Sequence, residues 1–201
     1  MIKELLIKEV EAVVEKIIRK NAICIGWDVA EHYTGICILR TDDSKIYIED
    51  LLKIETNPKE DIIHRMEYFL NATEKIKQNL KYKGFKIISI EDCWFGKNPE
   101  GLKHLARFST LVWMSFRKEC DYIFFILPIS ARAQIKFNKN DQMAEGNIKP
   151  KIISKGKNKG KPKKIDIKLL VQDYLKMAFG VLIEDSDKAD GFVLALAGLL
   201  K

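Results

Sequence analysis

Apolar residues recur at helical spacing over residues 2–19, with Ile2, Leu5, Leu6, Val10, Val13, Val14, Ile17 and Ile18 on one side and Lys, Glu and Arg on the other. This pattern predicts an amphipathic N-terminal helix, suited either to packing on the domain or to an oligomer contact. The period then shortens. "AICIGWD", "YTGICILR" and "KIYIEDLLKI" read as strands, and their short polar links suit hairpins better than crossovers. The first of the three is apolar without alternation until Asp28, the pattern of a strand covered on both faces.

The "NPKE" stretch from Asn57 opens a helix with an Asn cap and Pro at its first position, striped by Ile62, Met66, Phe69, Thr73, Ile76 and Leu80 and closed by Gly84. A fourth strand, "FKIISIED", precedes a second Asn-Pro start at Asn98 and Pro99, a helix to about Glu119 and a fifth strand, "YIFFILP". Helical spacing returns at Ile167, Leu170, Val171, Tyr174, Leu175 and Ala178, with Gly180 as its stop. The last helix begins near Ser186 and stripes Ala189, Phe192, Val193, Leu196, Leu199 and Leu200. Three meandering strands followed by alternating helix and strand predict an α/β fold, a mixed five-stranded sheet flanked by helices. The expected division is an N-terminal helix over 1–20 and one domain over 21–201 that carries a basic loop at about 139–164.

Composition points to a class of partner only through charge. The 201 residues, 47% of them hydrophobic, suffice for one globular core. Between Lys136 and Lys168, eleven lysines stand against Asp141, Glu145 and Asp166, a local balance of +8 that exceeds the +7 of the whole chain. The charge is therefore concentrated, which points to a phosphate-rich partner. "SKGKNKGKPKK" has no apolar period and reads as a loop or hairpin. Cys24, Cys37, Cys93 and Cys120 form no C-x-x-C pair and do not cluster with His32, His64 or His104, which argues against structural zinc and for free thiols in a reducing cytoplasm. No signal peptide is visible, and "IFFILPI" and "GFVLALAGLL" are too short to span a bilayer, so a cytoplasmic protein with no membrane partner is expected.

Four acids stand where core patterning does not ask for them: Asp28 and Glu91 at the ends of the first and fourth strands, Asp187 and Asp190 at the start of the last helix. Acids three apart on a helix project side by side. If the two strands are neighbours and the helix packs on their edge, all four meet. Such a group repels itself without a cation, and hard oxygen ligands with no His or Cys select Mg²⁺, with Mn²⁺ able to substitute.

These motifs resemble the RuvC-type Holliday-junction resolvases of the ribonuclease H-like superfamily. "GWDVAEHYTGICIL" is similar to that family's opening strand and turn, "IISIEDCWFGKNPEGLKHLAR" to its second motif, and "DSDKADGFVLALA" to its final D-x-x-D helix, over roughly residues 22–200. Val29-Ala30 replaces the usual Pro-Gly, and the N-terminal helix and lysine loop are additional. The resemblance implies a ribonuclease H-like sheet with the first strand central, and Asp28, Glu91, Asp187 and Asp190 as metal-binding catalytic acids. It also implies a homodimer that binds four-way DNA junctions and cuts two strands symmetrically. Trp94 or Phe95 would stack against bases near the junction centre. Lys97, Lys103, His104 and Arg107, on or before the following helix, are candidate phosphate contacts, and Lys163 and Lys164 are the strongest of the loop lysines. The expected activity is a Mg²⁺-dependent, structure-selective endodeoxyribonuclease acting on branched DNA. Two alternatives are a ribonuclease H acting on RNA/DNA hybrids and a catalytically inactive nucleic-acid-binding member of the superfamily.

Overall fold

The computed structural model describes residues 4–80, 84–92, 99–145 and 166–200. Six strands form one mixed sheet: β1 (Glu4–Leu6), β2 (Ala22–Asp28), β3 (Tyr33–Thr41), β4 (Lys45–Glu55), β5 (Phe85–Glu91) and β6 (Tyr122–Ile126), in the order β1-β4-β3-β2-β5-β6. The β2, β3 and β4 strands make the antiparallel meander, β5 runs parallel to β2, and β6 parallel to β5. Among the described residues seven helices accompany them: α1 (Ile7–Val14), α2 (Ile62–Asn79), α3 (Pro99–Phe116), α4 (Pro128–Gln134), α5 (Lys139–Glu145), α6 (Ile167–Phe179) and α7 (Ser186–Leu199).

The expected mixed sheet is present with one strand more than the pattern suggested. Instead of a helix over residues 2–19, the N-terminal segment places β1 antiparallel to β4 and then turns into the eight-residue α1. Its apolar residues divide accordingly. Leu5, Ile7, Val10, Val14 and Ile18 enter the core, whereas Leu6 and Ile17 face solvent. The helix stops because Glu15 takes the left-handed conformation (φ 53°), and Ile18 N–H then donates to the Glu11 carboxylate, 2.8 Å away, beside a bridge to Leu200. This segment packs on the domain rather than standing apart from it.

The start of α2 also differs. Asp61, not Asn57, is the cap, its carboxylate accepting from the N–H groups of Ile63 and His64. Asn57 instead closes the preceding turn by accepting from Lys59 N–H. Two short helices, α4 and α5, occupy a stretch that carried no helical signal, and the basic loop expected at about 139–164 begins as α5.

Strand alternation sorts the two faces of the sheet. Ile23, Ile25 and Trp27 of β2, with Ile88 and Ile90 of β5, join Phe69 of α2 and Phe108, Val112 and Phe116 of α3 in one core. Ala22 and Cys24 of β2 and Ile87 of β5 face the other way, into the core formed with α1, α6 and α7. Continuing that alternation puts Gly26 and Asp28, and Ser89 and Glu91, on the α7 side.

The α7 helix crosses that side unusually close to the strands. A Cβ at Gly26 would lie 2.1 Å from the Gly191 carbonyl oxygen, and one at Gly35 only 2.0 Å from the Asp187 carbonyl oxygen. Only glycine lets helix and sheet backbones meet at this distance, so the two positions fix where the first turns of α7 lie relative to the end of β2. Around them Ala189, Phe192, Ala195, Leu196 and Leu199 are fully buried.

Candidate active site

The parallel register of β2 and β5 pairs Trp27 with Ile90, so the next residues, Asp28 and Glu91, end their strands side by side. Both point toward α7, which carries Asp187 in its first turn and Asp190 at the start of its second. The Asp185 cap fixes that turn by accepting from the N–H groups of Asp187 and Lys188. Asp28, Glu91 and Asp190 line a cleft of about 390 Å³ together with Arg132, Lys168, Leu105 and Pro128.

The acids are held by hydrogen bonds and cations. Lys168 Nζ lies 2.6 Å from Asp187 Oδ1 and 3.6 Å from both Asp28 Oδ2 and Asp190 Oδ2. Arg132 Nη2 donates to Asp190 Oδ1 at 2.8 Å. Lys53 Nζ bridges Asp187 Oδ2 at 2.9 Å and Asp185 Oδ2 at 3.0 Å. Glu91 hydrogen-bonds to Asp28 as the protonated partner.

Electrostatics follow from this crowding. Burial, with the hydrogen bond to Asp28 and the charges of Asp28 and Asp190 adding to it, pushes the Glu91 carboxyl up to about 10. Burial also raises Asp28, against the opposing pull of Lys168. Burial works against the charged form of Asp187 as well, but Lys168 and Lys53 outweigh it and hold that carboxyl below its ordinary value. Desolvation likewise acts to lower Lys168, and the surrounding carboxylates outweigh it, leaving the ammonium well above the usual lysine range. In the absence of other ions, the pair at the strand ends keeps a proton and the helix acids keep their lysines.

Among the described residues, no three His, Cys, Asp or Glu side chains are already arranged as the ligands of one ion. The donor set nevertheless fits a hard divalent cation. Oxygen donors from β2 and α7 surround a single ammonium, which stands where a cation is needed, and Glu91 holds a proton that cation binding would release.

Sequence reasoning located the four acids and missed the cations between them. Lys168 sat at the end of a lysine run that reads as a solvated loop, while Arg132 and Lys53 lay in segments with no motif. A lysine in the first turn of a helix, at the positive end of its dipole, was the available signal. The turn after Asp28 is present as expected, and its fastening is what the sequence did not show. Ala30 N–H donates to Thr34 Oγ1, whose hydroxyl in turn lies 3.1 Å from the Ala30 carbonyl, so Thr34 closes the turn that Pro-Gly would otherwise make. Glu31 then binds Arg65 of α2 and His104 of α3, each at 2.9 Å, so His104 buttresses the loop.

Of the remaining candidates, Lys103 is exposed and 3.4 Å from Glu100, and Arg107 is exposed on α3. Trp94, Phe95, Lys97, Lys163 and Lys164 lie outside the described residues. Cys24 and Cys37 are buried free thiols and Cys120 is a half-buried one. No described helix is long and apolar enough to cross a membrane.

No family model matches the chain. A crossover junction endodeoxyribonuclease RuvC from Sulfurovum sp. (strain NBC37-1) is 27% identical over 116 residues, 57% of this chain and 69% of that protein. Over that stretch the chain is similar to RuvC. Two solved structures extend the likeness to the fold. Thermus thermophilus RuvC in complex with a Holliday junction substrate superposes with a TM-score of 0.58 at 11% identity, covering 87% of this chain and 91% of that one. The yeast mitochondrial Holliday junction resolvase Ydc2 superposes with a TM-score of 0.53 at 13% identity, covering 94% of this chain and 82% of that one. The chain therefore shares the α/β architecture of these two structures, the fold that its three motifs implied.

Proposed function

We propose that the protein is a metal-dependent endodeoxyribonuclease that resolves four-way and other branched DNA junctions, acting in the cytoplasm as a homodimer. The observation that carries this reading is the meeting of Asp28, beside Glu91 at the ends of adjacent parallel strands, with Asp187 and Asp190 of α7 across Lys168. The crossover-junction activity named for the Sulfurovum relative gives that acidic cluster its substrate class.

In this reading Asp28, Glu91, Asp187 and Asp190 would hold Mg²⁺ or Mn²⁺. Bound there, such ions supply a water made nucleophilic near neutral pH and neutralise charge on the leaving oxygen of a phosphodiester. The chain's own residues do the rest. The central strand β2 fixes Asp28, the glycine-mediated contact of α7 fixes Asp187 and Asp190, and Glu91, once deprotonated, would add its oxygens beside those of Asp28. Lys53, Arg132 and Lys168 make the rim attractive to a phosphate backbone, and Lys103 and Arg107 extend that surface along α3. Trp94, Phe95, Lys97, Lys163 and Lys164 are assigned to the same DNA surface on sequence grounds.

The test is cleavage of a synthetic four-way junction and of an RNA/DNA hybrid in Mg²⁺ by wild type and Asp28→Asn. Paired symmetric nicks in the junction, reduced in Asp28→Asn by roughly 10²–10³-fold or more, the scale of losing one strong transition-state contact, are expected. Cleavage of the hybrid alone would reassign the chain to ribonuclease H chemistry. Junction binding with no cutting under any divalent ion would reassign it to the inactive class.

A further inference from the structure

One of the three cations at the site stands among the acids themselves and not only at their rim. Lys168 belongs to the first turn of α6, and its backbone is pinned there because its N–H donates to the Asp166 cap at 3.0 Å. From that anchor its side chain reaches into the acids, and Nζ sits within 3.6 Å of oxygens from Asp28, Asp187 and Asp190. A lysine at this helix position faces the positive end of the dipole, so local electrostatics of α6 alone do not favour it. The carboxylates across the cleft supply the compensation.

Two kinds of cation therefore have a claim on the same oxygens. An ammonium contacts them at 2.6–3.6 Å, whereas Mg²⁺ binds carboxylate oxygen at about 2.0–2.1 Å. The two cannot share the space, and like charges at that range repel strongly in a partly desolvated cleft. The side chain of Lys168 is about a third exposed, at 36%, so it has an open path out of the cleft while its backbone stays put.

We propose that Lys168 is a positioning residue that competes with divalent metal: its ammonium holds the acids in register while the site lacks metal, and it must swing out for the metal to bind. This rests on the reading of Asp28, Asp187 and Asp190 as metal ligands. Lys168 thus sets the metal concentration at which the site loads, and it keeps three carboxylates from splaying apart beforehand. Only when the cleft is loaded is its ammonium released toward the surface that a DNA phosphate would occupy.

The experiment is Mn²⁺ titration of the full chain by calorimetry, with free Mn²⁺ followed in parallel by electron paramagnetic resonance, for wild type, Lys168→Met, Lys168→Gln, Asp28→Asn and the α6 surface control Lys176→Met. Thermal melting with EDTA or Mn²⁺ is recorded for each. If the lysine occupies the site about nine-tenths of the time, its removal tightens Mn²⁺ binding about tenfold. The expected result is that gain in both Lys168 variants, a lower melting temperature in EDTA and a larger Mn²⁺-induced rise, with Lys176→Met unchanged. Lys168→Gln decides the matter if Lys168→Met fails to fold by circular dichroism. Wild-type or weaker Mn²⁺ affinity in the Lys168 variants, with binding still lost in Asp28→Asn, overturns the competition and leaves the metal site standing. Absence of Mn²⁺ binding in every protein overturns both.

Discussion

The two faces of β2 carry different tasks within seven residues. Toward α2 and α3, Ile23, Ile25 and Trp27 join an apolar cluster that includes Phe69 and Phe116, whose ring centroids lie 6.3 and 5.9 Å from that of Trp27. Toward α7, Ala22, Cys24 and Gly26 shrink the side chains so that the helix can approach, and Asp28 ends the series with a carboxylate that is only 7% exposed. One face holds the strand still and the other spends that rigidity on holding charge. Exchanging the properties of the faces should therefore separate stability from chemistry.

The largest stability effect belongs to the aromatic face. Phe69→Ala removes a fully buried ring that contacts Trp27 and Phe108, and large-to-small changes of this kind cost about 3–5 kcal/mol. Urea denaturation should show that loss, while the cleavage rate per folded molecule stays near wild type because no acid is touched. Asp28→Asn should do the reverse. Its junction cleavage collapses as argued above, yet its denaturation midpoint in EDTA holds or rises, since a desolvated carboxylate has been removed from among like charges. A variant of Asp28 that unfolded as readily as Phe69→Ala would mean that the two faces are not separable.

The intermediate effect lies where the faces meet. At Gly26 an added methyl would contact the carbonyl oxygen of Gly191 and, 2.3 Å away, the Ala195 nitrogen, both of them backbone atoms that cannot rotate aside. Gly26→Ala must shift α7, at the upper end of the about 1–3 kcal/mol typical of overpacking. Because Asp187 and Asp190 ride on the same helix, it should also weaken Mn²⁺ binding measured by calorimetry, a loss of chemistry that Phe69→Ala does not cause.

How far this division could be read in the sequence depended on what each residue signals locally. The unbroken apolar run of β2, the acids at two strand ends and the i, i+3 pair on the last helix are local features, and they marked the acids that the fold brings together. The extra strand β1 was hidden because Leu5, Ile7, Val10 and Val14 fit helical spacing as well as they fit a strand followed by a short helix. The Asn57-Pro58 pair resembled a helix start but served a turn, since Asp61 caps α2 four residues later. The cations were less legible still. Nothing within a few residues of Lys168, Arg132 or Lys53 says that each reaches an acid 22, 58 or 132 positions away, because those partnerships are made by packing α4, α6 and β4 beside α7.

Taken one pH unit at a time, the smallest effect is the most specific to the carboxylate face. In metal-free protein Glu91 holds its proton up to about 10, whereas an unfolded glutamate releases it near about 4.3. Across that window the folded state binds the extra proton. The contribution of this pair to stability is therefore complete below the unfolded value and declines as pH rises toward the folded one, with a slope of at most about 1.4 kcal/mol per pH unit. Equilibrium denaturation in EDTA at pH 6, 7, 8 and 9 should show wild type losing stability relative to Glu91→Gln, whose neutral side chain has no proton to release. Saturating Mn²⁺ should flatten the wild-type decline, because a cation replaces the proton as the partner of those oxygens. Parallel pH profiles for the two proteins would mean that Glu91 ionises freely in the fold, and the acids at the ends of β2 and β5 would then be too far apart or too well solvated to act on one another.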